Sequence, residues 1–270
     1  MKVSIGLRVV SLLILSTLFI SLKAQRKNRW KAGSAIDLTG NVLVLTCYIS
    51  EPADVWKKVE KDEMFNKLLE AELWLSAQAK QFGVEIDFSN KMLNNGEDIF
   101  FDTIEPGMGT GKERVDWVSR ILKKLGYNNG KQAYRKINRK YNTDNIVVII
   151  MANGVGRPYS MRYAKGLNKK KYFMEGTIVY NRYANGAPIP VPAVIAHEIL
   201  HLYGAWDLYA TYAQTKDRQY KANELYPRDI MLRVDHNINS LSIGSLTAWL
   251  IGWNKKQEDI YEWFRPSDFQ

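Results

Sequence analysis

Apolar residues in this 270-residue chain switch between an alternating pattern and a recurrence every three to four positions, and the switches predict an order of elements. Asn41 to Ser50 is β-branched and apolar, a strand signature closed by Glu51-Pro52. From Ala53 to about Gln81, Phe65, Leu69 and Leu73 recur every four residues with Leu68 and Leu75 beside them, which predicts a helix stopped at Gly83. Val84, Ile86 and Phe88 then alternate with Glu85 and Asp87, as in a half-buried strand. A second helix is predicted over Glu113 to Leu125, where Val115, Val118, Ile121, Leu122 and Leu125 share a face and Gly126 supplies the turn out. Ile146 to Met151 is apolar throughout, the pattern of a central strand covered on both faces. Gly154 to Gly166 reads as loop, and Tyr172 to Tyr180 as a further strand. After Asn181 the strand signal fades into loop and two helices.

Helices alternating with strands, followed by an irregular remainder, imply an α/β (α+β) fold with two long helices in an N-terminal lobe, residues 41–203, and a small C-terminal lobe, residues 204–270. No repeat, low-complexity tract or long linker divides the chain, so residues 25–270 read as one domain.

The first residues change the picture. Lys2 and Arg8 precede an apolar stretch, Val9 to Leu22, too short to span a bilayer comfortably, and Ala24 offers a small residue for cleavage. Residues 1–24 are therefore expected to be a secretory signal peptide, with an uncleaved anchor as the alternative. Export to a periplasm, a cell surface or the medium follows, with no stable membrane insertion after cleavage. One cysteine, Cys47, cannot form an internal disulfide, so stability must come from a core, and Cys47 itself reads as a small buried hydrophobe. The net charge of +10 includes local runs at Lys169 to Lys171 and at Arg26 to Lys31. The cations otherwise look dispersed, and no nucleic-acid motif accompanies them, so no nucleic-acid partner is expected.

The chemistry concentrates in HEILHLYGAWDLY, residues 197–209. A helix from about Pro192 to Tyr203 would put His197 and His201 on one face, four residues apart, where both imidazoles can share a tetrahedral zinc. Glu198 points into the same cavity without being a ligand, placed to take a proton from an activated water and to deliver it to a leaving amine. Gly204 stands where such a helix ends with positive φ, and Asp207 follows three residues later.

HEILHLYGAWD resembles the extended zinc signature of the metzincin metallopeptidases, HExxHxxGxxD, in the aspartate variant of the snapalysin family. Pro227 to Met231 is similar to the Met-turn of that clan, whose methionine, here Met231, underlies the zinc as a hydrophobic base. The resemblance implies a metzincin-like zincin fold with a mixed twisted sheet, an active-site helix and a terminal helix, here Leu241 to Trp253. It also implies zinc held by His197, His201 and Asp207. Several metzincin families carry a transition-state tyrosine two residues after the methionine; this chain has Arg233 there, and Tyr209 is a substitute candidate. Glu224 and His236 remain rivals for the third ligand.

An exported zinc metallopeptidase, an endopeptidase acting on a protein or peptide substrate, is the expected function. A binding protein that keeps the zinc fold, and a zinc hydrolase of cell-wall peptides, are the alternatives. Substrate is expected to extend along an edge strand, Tyr172 to Tyr180.

Overall fold

Every residue from Val42 to Ser50 is buried in β1, Gly40–Ser50, and the sheet grows outward from this strand. A computed structural model describes residues 32–106, 116–164, 166–183, 189, 191–211 and 213–267. The expected signal peptide lies outside these residues. β1 pairs in parallel with β2 (Ile86–Met92) and β3 (Asp98–Phe100) on one side and with β4 (Ile146–Val155) on the other. β4 pairs in parallel with β6 (Glu175–Arg182), and β5 (Tyr159–Met161) closes the row antiparallel to β6. The sheet is thus mixed, in the order β2-β1-β4-β6-β5, and the fold is α/β.

Register fixes which helices share a face, since in-register neighbours on parallel strands point the same way. Tyr48 faces the long helix α1 (Lys58–Gln81), donating its hydroxyl to the Lys61 carbonyl at 2.9 Å, and its row continues through Met151 and Val179. On the opposite face Gly176 admits α2 (Trp117–Lys124): an added Cβ would lie 2.9 Å from Val118 Cγ2 and 2.5 Å from the Val148 carbonyl oxygen. α3 (Gly130–Tyr141) packs on α2, followed by the single turn α4 (Lys169–Tyr172). α5 (Val191–Leu202) packs on α1 and β6, so it occupies the α1 face. The rest is α6 (Lys216–Leu225), α7 (Ser245–Ile251) and α8 (Asp259–Trp263).

β4 is the expected central strand, buried from Ile146 to Asn153. β1 and the half-buried edge strand β2 also lie where the pattern puts them. Cys47 is wholly buried, and burial pushes its thiol up, out of reach of ordinary redox chemistry.

Several expectations are corrected. α1 starts five residues later than Ala53, and its buried stripe runs through Met64, Leu68, Ala71, Leu75 and Ala79, while Leu73 is 72% exposed. The three- and four-residue spacing of that stripe, partly built from alanine, outweighs the more conspicuous leucines. The predicted strand Tyr172 to Tyr180 begins only at Glu175, and it is not an edge: β4 and β5 flank it on both sides. The outer strand, β5, falls in the segment read as loop, too short to show a period. α3 was not foreseen, because only Gly130, Ala133 and Ile137 of it are buried; Asn129, whose side chain accepts the Gln132 amide at 3.0 Å, marks its start. α6 and α8 add two helices to the C-terminal region. Residues 113–115 of the predicted second helix lie outside the described residues.

The segment before β1 also belongs to the body. Glu175, 1% exposed, accepts the Ala35 amide at 2.8 Å, and Asn145 accepts that of Ile36 at 3.2 Å.

Glu72 is a buried carboxylate on α1 that accepts a hydrogen bond from Asn90 of β2 at 2.7 Å, and burial raises its pKa from 4.5 to about 7. Between these values the folded state keeps a proton that the unfolded chain has released. Its contribution is therefore complete below about pH 4.5 and lost as pH rises through about 7. Urea unfolding of Glu72→Gln should show stability at pH 8 about 2 kcal/mol above that of the parent, with little difference at pH 4.5. Parallel stability-against-pH curves for the two proteins would contradict this.

Candidate metal centre

α5 is buried all round, with His201 alone among its residues partly accessible. Such a helix is held by apolar packing, since each fully buried aliphatic side chain contributes about 1.5–3 kcal/mol. Its polar side chains, His197, Glu198 and His201, are the exception and need polar partners. His197 Nδ1 lies 2.9 Å from the Ile230 carbonyl oxygen and His201 Nδ1 lies 2.9 Å from that of Ala205. Both carbonyls accept, so each ring carries its proton on Nδ1 and, when neutral, presents a lone pair at Nε2.

The two Nε2 atoms converge on one carboxylate oxygen. Asp207 Oδ1 stands 3.2 Å from His197 and 3.1 Å from His201. The turn that brings it there begins at Gly204, with φ of 103°, and is closed by the Ala205 amide donating to the Leu200 carbonyl at 3.0 Å. A side chain at that φ would be strained, which accounts for the glycine. The ligand atoms of His197, His201 and Asp207 all lie within 4.8 Å of one another.

Three electron-pair donors without a hydrogen-bond donor between them repel, and Asp207 Oδ1 is indeed buried without such a partner. A cation between them resolves the conflict, so the residues fit a metal. Otherwise the cluster must hold a proton. Burial alone would lower the His201 pKa, but Asp207 beside it raises it to about 9. Burial would raise the Asp207 pKa, yet the two imidazoles hold it well below the usual carboxylate range.

Glu198 is 6% exposed and is held from β5: the Ser160 hydroxyl lies 2.8 Å from its Oε2 and 2.7 Å from its main-chain oxygen. Arg157, just before β5, reaches the Tyr209 hydroxyl at 3.4 Å and interacts electrostatically with Asp207 and Glu198. The Tyr209 ring stacks obliquely 6.2 Å from that of His197, and burial pushes its hydroxyl pKa up, so it stays protonated.

Met231 is fully buried, and its carbonyl accepts the Leu208 amide at 2.9 Å, beside Asp207. Asp229 builds this turn. Its carboxylate accepts the Met231 amide, the Gly244 amide and the Thr247 hydroxyl, each at 2.8 Å, and burial raises its pKa against these bonds. Gly244 allows this approach, since a Cβ there would lie 2.7 Å from Asp229 Oδ2.

The structure therefore gathers His197, Glu198, His201, Asp207 and Tyr209, with the Met231 turn against them. It does not gather the others. Arg233 is exposed, with its guanidinium on the Pro227 carbonyl, because the turn directs it outward. Glu224 sits on the exposed side of α6, paired with Lys221 at 2.9 Å, and His236 is exposed in a loop. Ser160, Arg157 and Asp229 escaped the sequence reading; Asp229 alone had a signal, as the acid two residues before Met231.

No family model and no curated protein matches the chain. Among solved structures, it is similar to metalloproteinase-II from Bacteroides fragilis, with 12% identity over 85% of this chain and a TM-score of 0.40. The chain spans 59% of that protein's length. It is also similar to a zinc-dependent peptidase from Methanocorpusculum labreanum, with 12% identity over 77% of this chain and 99% of the other, and a TM-score of 0.35. Likenesses this distant leave the chemistry to be read from the site itself.

Asp229→Ala removes three hydrogen bonds to a buried carboxylate and releases the carbonyl that orients His197. Unfolding free energy should fall by about 3 kcal/mol, and metal affinity, measured by calorimetric titration, by about 10- to 100-fold. Unchanged affinity would show that the turn does not orient the ligand.

Proposed function

We propose that the protein is an exported zinc-dependent endopeptidase. The observation that carries the reading is the convergence of three electron-pair donors, His197 Nε2, His201 Nε2 and Asp207 Oδ1, beside a buried glutamate. Two imidazoles and one carboxylate suit zinc and leave a fourth position open. The HExxHxxGxxD resemblance supports the same choice.

Zinc held by His197, His201 and Asp207 would supply Lewis acidity toward the scissile carbonyl and the attacking water. The remaining steps belong to the chain. Glu198 takes the proton of that water and passes it to the leaving amine. Ser160, donating to Oε2, fixes the glutamate rotamer so that its other oxygen stays available. Tyr209, protonated and backed by Arg157, is the donor offered to the developing oxyanion, a role Arg233 cannot take from its outward position. An extended peptide would add to the outer edge of β5, which carries Ser160 into the site.

Elemental analysis of the purified protein should find about one zinc per chain, greatly reduced in Asp207→Ala. Glu198→Gln should keep the zinc and the fold while losing at least about 1,000-fold in kcat/KM on casein. Zinc without proteolysis in the parent protein, or undiminished proteolysis in Glu198→Gln, would overturn the reading. Digestion of peptidoglycan in parallel separates a protease from a hydrolase of cell-wall peptides.

A further inference from the structure

The cations that look dispersed along the sequence are gathered by the fold. Residues 117–143 contain eight lysines and arginines and no acid, and residues 166–174 add Lys169, Lys170 and Lys171, again without an acid. These stretches form one layer. Lys131 of α3 and Lys169 of α4 both lie over the Phe173 ring, at 5.7 and 5.8 Å, and the Ser119 hydroxyl of α2 reaches the Lys171 carbonyl at 3.4 Å. From residue 32 onward the chain has thirty-one cations and twenty-eight acids, so removing these eleven leaves twenty cations against twenty-eight acids. One layer is strongly basic, and the rest of residues 32–270 is acidic. The layer lies on the face of the sheet opposite α1 and α5, and hence opposite the metal centre.

We propose that this layer of α2, α3 and α4 docks the protein on an anionic phospholipid bilayer. Eight of its eleven cations are lysines, compact charges on flexible stems that suit a diffuse anionic surface. Of the three arginines, Arg120 is committed to Glu105 through both carboxylate oxygens, at 2.9 and 3.1 Å. The aromatic rings offer no stacking platform for bases, because lysines already lie over Tyr127, Tyr141, Tyr172 and Phe173. Leu167, 43% exposed beside Lys169 to Lys171, gives an apolar contact at headgroup depth. The acidic remainder is repelled by the same surface, so the molecule is oriented as well as attracted. This docking does not depend on the metal reading.

The test is cosedimentation of the full chain with phosphatidylcholine vesicles, with and without roughly 30% phosphatidylglycerol, at about 50 and about 500 mM salt. Residues 1–31 carry seven cations and no acid and are attracted to the anionic vesicles as well, so the part of the phosphatidylglycerol-dependent gain that belongs to the basic layer is the difference between the parent and layer variants that share this segment. The gain should be at least about tenfold at low salt and vanish at high salt. Most of it should also be lost in the combined variant Lys136→Glu, Arg139→Glu, Lys140→Glu, Lys170→Glu. If that variant fails to fold, the same four positions changed to glutamine must lose most of the gain with an unaltered unfolding midpoint. No gain in the parent protein, or a gain that survives in the variants, overturns the proposal. Tighter binding to a single-stranded oligonucleotide than to the anionic vesicles also overturns it, in favour of a soluble polyanion.

Discussion

Two imidazoles inside an apolar helix must find partners on both ring nitrogens, because a buried polar atom without one costs about 1–3 kcal/mol. In α5 the Nδ1 atoms are satisfied by backbone carbonyls from two separate turns, one after Gly204 and one at Ile230. That need ties the C-terminal region to the helix. The Gly204 turn returns Asp207 to the Nε2 atoms, and the Ile230 turn is itself rigid because Asp229 accepts three hydrogen bonds from Met231, Gly244 and Thr247. The start of α7 is thereby fixed to the same point. Residues up to fifty positions apart are held by the polar demands of one helix, and the Nε2 lone pairs are left aimed at one place.

The sheet supplies the other side of the site. β6 lies between β4 and β5, so the strand adjoining α5 is interior and the short antiparallel β5 becomes the outer edge. Ser160 in β5 reaches both the carboxylate and the main-chain oxygen of Glu198. A hydroxyl carries a single proton, so it donates to one of these oxygens at a time, and donation to the carboxylate is the charge-assisted and stronger option. Glu198 is thus fixed from the sheet while the histidines are fixed from the turns. A helix residue and its neighbour are oriented by different parts of the fold.

What was legible in the sequence follows from the range of the forces involved. The histidine pair, the glycine and the aspartate are spaced by local helix and turn geometry, and the structure gathers all of them. β1 and β4 were legible because strands covered on both faces must be continuously apolar. The face of α1 was legible only in part: Leu68 and Leu75 are buried in the packed stripe, but Ala71 and Ala79 carry as much of it as leucine does, and Leu73 carries none. β5 and Ser160 left no trace, because three residues cannot display a period and Ser160 matters only through a residue 38 positions away. Arg233 was a candidate by its spacing from Met231, but the local turn sends it to the Pro227 carbonyl. Arg157, remote in sequence, occupies the place near Tyr209 instead.

The charge distribution was hidden for the same reason. Along the chain, cations and acids nearly balance beyond residue 31, and the imbalance appears only when α2, α3 and α4 are brought into one layer. Nothing in the packing of these helices requires it: Ala133 and Ile137 bury the inner side of α3, while Arg135, Lys136, Arg139 and Lys140 are exposed. Apart from Arg120, paired with Glu105, and Lys171, 3.9 Å from Asp116, these like charges on adjoining helices repel one another, which costs stability in the isolated molecule. A negatively charged surface lying against the layer would offset that cost. With the metal centre on the opposite face of the sheet, such a surface would leave that centre and the edge of β5 uncovered.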